Sequence, residues 1–355
     1  MKSRNQSDVA GVMSGTSLDG LDIALCRFDE SEEHIAANIL NAVTIPYDDQ
    51  LRQQLAKAHT LNAVEFSLLH NEFGRFIGKH VQQTIRKFDF HPLCIASHGH
   101  TVMHHPTQGL TVQIGNGAYI ASLTGIDTVC DFRTLDVALG GEGAPLVPFG
   151  DIKLFSQYDS ALNLGGFSNI TFTRTFPPLA FDICPVNIIL NDLAMKEGFE
   201  FDRNGAMAAS GFLIEPLLKE LESISLYQNN VKPSLSREWV EQNIHPVIQK
   251  YTFSTPDLLR TYSEHIALRI SHVLNTYSPI NCLVTGGGAY NSFVIDRIRH
   301  LTKTSLIIPD DFTIQYKEAF IFAFLGLKRL YIEMNIHSFI THASKDTSSG
   351  IIWKG

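Results

Sequence analysis

Three short stretches hold the residues best suited to chemistry. The first is Gly11-Val12-Met13-Ser14-Gly15-Thr16-Ser17-Leu18-Asp19-Gly20-Leu21-Asp22. Its small residues from Ser14 to Ser17 let the backbone turn tightly. They leave amides and hydroxyls that can hold phosphate oxygens or a hydrated metal. Asp19 and Asp22 add carboxylates where such a metal would sit. A plain hairpin turn uses the same residue types, so one such turn decides nothing. Two more glycine-rich turns follow: Asn163-Leu164-Gly165-Gly166 and Gly286-Gly287-Gly288-Ala289-Tyr290-Asn291. A nucleoside triphosphate clamped between two such turns is the chemistry this recurrence implies.

Histidines supply a rival. His98, His100, His104 and His105 crowd one segment. The spacing of His98 and His100 puts both on one face of a strand, and a metal-dependent hydrolase would result. No Asp, Glu or Cys falls inside this cluster. Histidines in cores or on surfaces are commoner than metal ligands, so this reading ranks below the nucleotide one.

These residues need elements to hold them. Apolar patterning predicts strands over 21–28 and 35–47, a short helix over 48–58 and a longer helix over 63–88. In the longer helix Phe66, Leu69, Phe73, Phe76, Ile77 and Val81 recur at helical spacing and read as core. A buried strand over 94–97 ends at His98. Strands over 110–114 and 127–132 end at Gly115 and Arg133. Gly140-Gly141-Glu142-Gly143-Ala144-Pro145 is flexible and then stiffened by proline, which marks a domain boundary. The order then restarts: strand 159–164, turn Gly165-Gly166, strand 169–174, strand 178–183 with Asp182, and a helix from about 186. Residues 210–276 read as helical. A strand over 281–284 feeds Gly286-Gly287-Gly288, 305–308 is the last clear strand, and a helix over 316–333 contains Glu318. Polar residues gather at strand C-termini, the edge where α/β sheets bind ligands. Two halves that each open on a hairpin imply a duplicated α/β unit, with the glycine turns facing one another across a cleft.

Bulk properties narrow the function. A chain of 355 residues implies about two domains. Its net charge of −8 argues against a nucleic-acid binder, which would carry a basic patch. Residues 1–8 are polar and lack the apolar segment of a signal peptide. No apolar run is long enough to cross a membrane. The cysteines (Cys26, Cys94, Cys130, Cys184 and Cys282) are scattered without a CxxC, and four lie in apolar strand-like runs. Reduced, buried thiols in the cytoplasm are the expectation.

No GxxxxGK[ST] is present, no GxGxxG follows a strand in the right context, and Ser14 does not match GxSxG. Taken together, the motifs resemble the anhydro-N-acetylmuramic acid kinase family, within the actin, hexokinase and Hsp70-like ATPase superfamily. The resemblance spans residues 11–325. It rests on the 11–22 stretch, Ser97-His98-Gly99-His100-Thr101-Val102, Val112-Gln113-Ile114-Gly115, Asp131-Phe132-Arg133 and Gly143-Ala144-Pro145-Leu146-Val147-Pro148. It continues through Asn163-Leu164-Gly165-Gly166-Phe167-Ser168-Asn169-Ile170, Phe181-Asp182, Phe201-Asp202-Arg203-Asn204-Gly205, Gly286-Gly287-Gly288-Ala289-Tyr290-Asn291 and Lys317-Glu318-Ala319.

The resemblance implies an α/β, two-domain actin-like (ribonuclease H-like) ATPase fold with an interdomain cleft. We expect domain I over residues 1–135 plus a C-terminal segment of about 330–355, and domain II over 136–329. It implies a kinase that opens a 1,6-anhydro sugar with water and phosphorylates O6, using ATP and Mg2+, in peptidoglycan recycling. Gly15, Thr16, Ser17, Leu18, Asp19, Gly20, Leu21 and Asp22 would form the first phosphate loop, with Asp19 and Asp22 near the magnesium. Asn163, Gly165 and Gly166 would form the second. Gly286, Gly287, Gly288 and Asn291 would border the adenosine. Asp182 matches the catalytic base, and its residue chemistry fits, since water needs a carboxylate to take its proton. On its own, Asp182 also reads as a helix N-cap. Arg133 and Glu318 match sugar contacts, with His98 beside them; Glu318 alone also reads as a solvated first helical turn.

The chain departs from the family at Ile183-Cys184-Pro185-Val186-Asn187, where many members read Thr-Gly-Pro-Gly-Asn. Cys184 and Val186 cannot cheaply take a positive φ. Position 100 is His where Gln is usual. Alternatives therefore stay open: a kinase of the same superfamily for another sugar or acyl group, or a weakened nucleotide-binding relative. The expected partners are the sugar and ATP, with no nucleic acid or membrane, and a homodimer is left open.

Overall fold

The structure, a computed structural model, describes residues 6–15, 18–31, 35–175, 177–228 and 235–355. The chain divides into two units, Met1–Phe155 with Tyr316–Gly355, and Ser156–Gln315. In chain order the strands begin with β1 (Ser7–Ser14), β2 (Gly20–Glu30), β3 (Ile35–Pro46), β4 (Cys94–His105), β5 (Leu110–Ile114) and β6 (Thr128–Cys130). There follow β7 (Ser160–Leu164), β8 (Phe167–Phe172), β9 (Leu179–Pro185), β10 (Asn281–Thr285), β11 (Ser305–Ile307) and β12 (Ile351–Trp353).

In unit 1 the described strands form one sheet in the order β12-β6-β4-β1-β2-β3, with β5 paired to β4. β1, β2 and β3 are antiparallel, and β4 and β6 run parallel to β1 and β4. β1 and β2 are buried almost throughout because both faces of the sheet are covered. On one face lies the helix Ala63–Lys87. Asn62 and Glu65 start it with a reciprocal capping box. Its Leu69, Phe73, Ile77 and Val81, four residues apart, pack with Val12, Ile95 and Ile114. On the other face lies the helix Asp311–Leu330, whose Phe320 and Phe324 meet Phe28 at 5.5 and 5.6 Å between ring centres. Gly11 permits this contact: a Cβ there would stand 1.9 Å from the Ala319 carbonyl oxygen.

Unit 2 repeats the plan. Its sheet runs β11-β10-β7-β8-β9. β7, β8 and β9 are an antiparallel meander, with β10 parallel to β7 and β11 parallel to β10. The helix Thr255–Tyr277 supplies much of its core through Leu259, Tyr262, Ile266, Ile270 and Leu274. The expected duplicated α/β fold is thus seen in the strand order of both units.

Several elements differ from the expectation. The expected breaks at 135/136 and 329/330 fall instead at 155/156 and 315/316. The glycine-rich 140–145 stretch is folded into unit 1: Gly143 N–H donates to Asp136, Glu142 N–H to Thr341 O, and the Gly143 carbonyl accepts from Arg133. Beyond it, Asp151 pairs with Lys317 and Phe149 packs on Phe324. β4 does not end at His98 but continues to His105, because β5 pairs with it. The strand over 305–308 is not the last, since β12 closes the sheet against β6. The 210–276 stretch is a series of separate helices, of which Thr255–Tyr277 is the longest. Four cysteines are buried, Cys130 is partly so, and none of the five is joined in a disulfide among the described residues.

Candidate active site

In unit 1 the chemistry collects where β1, β2, β4 and the chain after β6 meet the helix Asp311–Leu330. Asp22 lies on β2 opposite Thr44 of β3, whose hydroxyl donates to its Oδ1 at 2.6 Å. Burial pushes the Asp22 carboxyl up to about 6 against that hydrogen bond, and the charges of Glu318 and Asp19 add to the rise. Glu318 is also raised, first by burial, while Lys317 and Arg133 oppose. Lys317 itself is buried in a 3.0 Å pair with Asp151.

Arg133 is held on two sides. Its Nε donates to His98 Nε2 at 2.9 Å and its Nη1 to the Gly143 carbonyl at 2.6 Å. Burial lowers the guanidinium to about 10, with Glu318 and Asp136 holding it up. A donor at Nε2 requires that nitrogen to be bare, so His98 carries its proton on Nδ1, facing the Gly99 carbonyl at 2.9 Å. Burial and the Arg133 charge keep this imidazole neutral.

His100 goes elsewhere. The register between β1 and β4 shifts between Val12 and Ser14, and Gly99 has φ +74°. That irregularity sends His98 against Phe322 of the helix Asp311–Leu330 and His100 against Phe73 on the opposite face. The expectation that both share one face is therefore corrected. His100 Nδ1 lies 3.2 Å from Ser14 Oγ, which also accepts from Tyr47 OH at 2.7 Å, and burial lowers the ring to about 4. Among the described residues no group of three His, Cys, Asp or Glu could hold a metal.

The β1–β2 turn brings Gly15, Leu18, Asp19 and Gly20 together, with Leu18 N–H donating to the Gly15 carbonyl and Leu18 at φ +60°. Thr16 and Ser17 lie outside the described residues. Leu21 is fully buried in the core. Unit 1 also holds a cavity of ≈ 310 Å³ lined by His98, Gln113, Asn116, Asp131, Thr134 and Trp353, among others. That is the scale of a small-molecule site.

In unit 2 the two glycine turns meet. Gly286 follows β10 at φ +81°, and a Cβ there would stand 2.5 Å from Asn163 Oδ1 and 2.9 Å from the Leu164 backbone. Gly288 lies equally close to Leu164. Gly165 and Gly166 turn β7 into β8 without a positive φ, and their carbonyls accept from the first amides around the helix Asn187–Met195. Asn187 donates from Nδ2 to Leu164 O at 3.1 Å and borders Gly287. Asn187 joins both turns, yet was absent from the expected site residues; its signal was its place beside the expected base. Asn291 Oδ1 caps the helix Ser292–Leu301, accepting from Val294 N–H at 3.1 Å.

Asp182 sits within β9, opposite Asn169 beside a register shift, rather than at the strand's end. It is no N-cap, because the helix Asn187–Met195 starts after Val186 and has no side-chain cap. Its Oδ2 accepts from Leu235 N–H at 2.8 Å. Burial raises its carboxyl and that hydrogen bond opposes the rise. Cys184 and Val186 take no positive φ, so neither position needs the left-handed backbone that glycine favours. The Cys184 main chain and Ser168 Oγ bond to each other in both directions, at 2.9 and 3.1 Å.

A family model described as anhydro-N-acetylmuramic acid kinase matches residues 7–355. Curated relatives of that name include one from Pseudomonas syringae pv. syringae (strain B728a), 34% identical over 337 residues, covering 89% of this chain and 90% of its own. Another, from Pseudomonas putida, is 37% identical over 309 residues, covering 82% and 83%. A third, from Aliivibrio fischeri, is 31% identical over 367 residues, covering 97% and 98%.

Proposed function

This chain belongs to the anhydro-N-acetylmuramic acid kinase family, and from that premise we propose that it converts 1,6-anhydro-N-acetylmuramic acid, ATP and water to the sugar 6-phosphate and ADP. The observation that carries the reading is the match over residues 7–355 together with Asp182, a half-buried carboxylate with one oxygen held by a main-chain amide.

Water attacks the anomeric carbon and its proton passes to Asp182. The bond from that carbon to O6 breaks as O6 takes the γ-phosphoryl group, and the bond to the β-phosphate breaks to release ADP. Arg133, fixed through His98 and Gly143, and Glu318 hold the sugar. The turn between β1 and β2 and the Asn163-Gly165-Gly166 turn hold phosphates, while Gly286, Gly287, Gly288 and Asn291 border the adenosine. Asp19 and Asp22 offer the all-oxygen donor set that magnesium takes, and a magnesium ion bound with ATP supplies neutralising charge at the phosphoryl oxygens. The described residues include no helix long and apolar enough to cross a membrane; we place the enzyme in the cytoplasm, recycling cell-wall sugar.

A coupled ADP-release assay tests the reading with the anhydro-sugar against N-acetylglucosamine and glucose. The account expects turnover on the anhydro-sugar, abolished in Asp182→Asn with ATP affinity preserved. Turnover on glucose alone, or an Asp182→Asn enzyme at full rate, would overturn it.

A further inference from the structure

The group that holds Asp182 comes from a distant part of unit 2. Leu235 N–H, which donates to Asp182 Oδ2 at 2.8 Å, immediately precedes Ser236. Ser236 caps the helix Arg237–Asn243, its Oγ accepting from Trp239 N–H. That helix is anchored by buried Val240 and by the Trp239 ring edge-on to Tyr227, 6.4 Å between ring centres. The start of the helix therefore sets where the Leu235 amide points.

We propose that the main-chain N–H of Leu235 is a positioning group for the base: it fixes Oδ2 of Asp182 and leaves Oδ1 to take the proton from the attacking water. This rests on the reading of Asp182 as the base. A donor aimed at a carboxylate favours its ionised form and orients its remaining lone pairs. Burial works in the other direction and is the larger effect, so the amide limits how far the carboxyl is raised.

Among the described residues, no other donor to the Asp182 carboxylate competes with this amide. Across β8 the facing residue is Asn169, which is neutral. Further along β9, Cys184 is a buried thiol pushed up to about 12. The helix Thr255–Tyr277 brings His265 and Arg269, both paired to Glu222. Arg269 and Glu222 act on Cys184; among the described residues the Asp182 carboxyl responds to burial and to Leu235.

The test removes the N–H donor. An amide-to-ester replacement at position 235 keeps the leucine side chain and loses the donor, and Leu235→Pro loses it by ordinary mutagenesis. Leu235→Ala keeps the donor and loses the side chain. The readout is kcat/KM for the anhydro-sugar against pH at saturating ATP. With the donor gone, the acid limb is expected to move toward neutral pH, with about a tenfold loss at the acid end and a plateau within about threefold. Leu235→Ala should overlay the wild type. If Leu235→Pro fails to fold, the ester variant decides. An ester variant whose acid limb stays in place, whether or not its rate falls uniformly, overturns the proposal, as does a Leu235→Ala profile displaced equally far. Asp182→Asn separates the two levels: if it keeps turnover and the same acid limb, the base assignment falls. If it loses turnover while the ester variant's limb is unmoved, only the Leu235 role falls.

Discussion

Gly11→Ala is the substitution whose effect follows most directly from the geometry. The new Cβ would lie 1.9 Å from the Ala319 carbonyl oxygen, 2.9 Å from its carbonyl carbon and 2.9 Å from Ala323 Cβ. Two of these are backbone atoms of a helix and cannot rotate away. To restore ordinary contact at 3.4 Å the helix must retreat by about 1.5 Å. Overpacking of this kind costs about 1–3 kcal/mol, and each kcal/mol lowers Tm by about 2–4 °C in a unit of this size. Glu318 precedes Ala319, so it moves with the helix. A displacement of about 1 Å at a positioned group costs on the order of a hundredfold in rate. Gly326→Ala is the control: its Cβ would meet Ala96 Cβ at 2.4 Å on the same helix, about 12 Å along the axis from Glu318. Thermal melts and steady-state kinetics on both variants should show similar losses of Tm, with kcat/KM for the anhydro-sugar falling much further in Gly11→Ala. A Gly11→Ala protein with wild-type Tm and kcat/KM refutes the argument. Equal kinetic losses in both variants would remove the link to Glu318.

Two further outcomes follow from the site. The Asp22 carboxyl rises from 3.8 to about 6 on folding, so between those values the folded state binds more protons than the unfolded one and stability falls as pH rises. Asp22→Asn should remove that slope, raise stability above pH 7 by on the order of 2 kcal/mol and lower turnover; melts across pH that run parallel for both proteins would count against it. Gly286→Ala places a Cβ against Asn163 and the Leu164 backbone at a φ of +81°, so ATP affinity should drop by about tenfold with KM for the sugar unchanged; a titration with a non-hydrolysed ATP analogue reads this, and unaltered affinity would separate this turn from the nucleotide.

The duplicated α/β plan is legible in the sequence because each half carries its own apolar runs and glycine turn, whereas the strand order of each sheet is not. What stayed hidden depends on partners distant in the chain. Alternation alone puts His98 and His100 on one face; the register shift against β1 that separates them is a property of the pairing. Gly140–Pro145 has the composition of a linker, yet Asp136 and Thr341 supply the hydrogen bonds that fold it into unit 1. β12 is too short to announce itself and forms because β6 offers a free edge. Asp182 was found by motif, but the amide that holds it lies 53 residues away and involves no side chain of its own. Asn187 was in view beside the base, and its bridging of two glycine turns emerges only once β7 and β10 lie side by side.

The central claim, that ring opening by water and phosphoryl transfer occur together, is tested most directly by the mass and phosphorus spectrum of the product formed from the anhydro-sugar and ATP. The account predicts a single product heavier by one water and one phosphoryl group, with the phosphate on O6 and one ADP released per sugar. A product carrying the phosphoryl group without the water, or the water without the phosphoryl group, would contradict it.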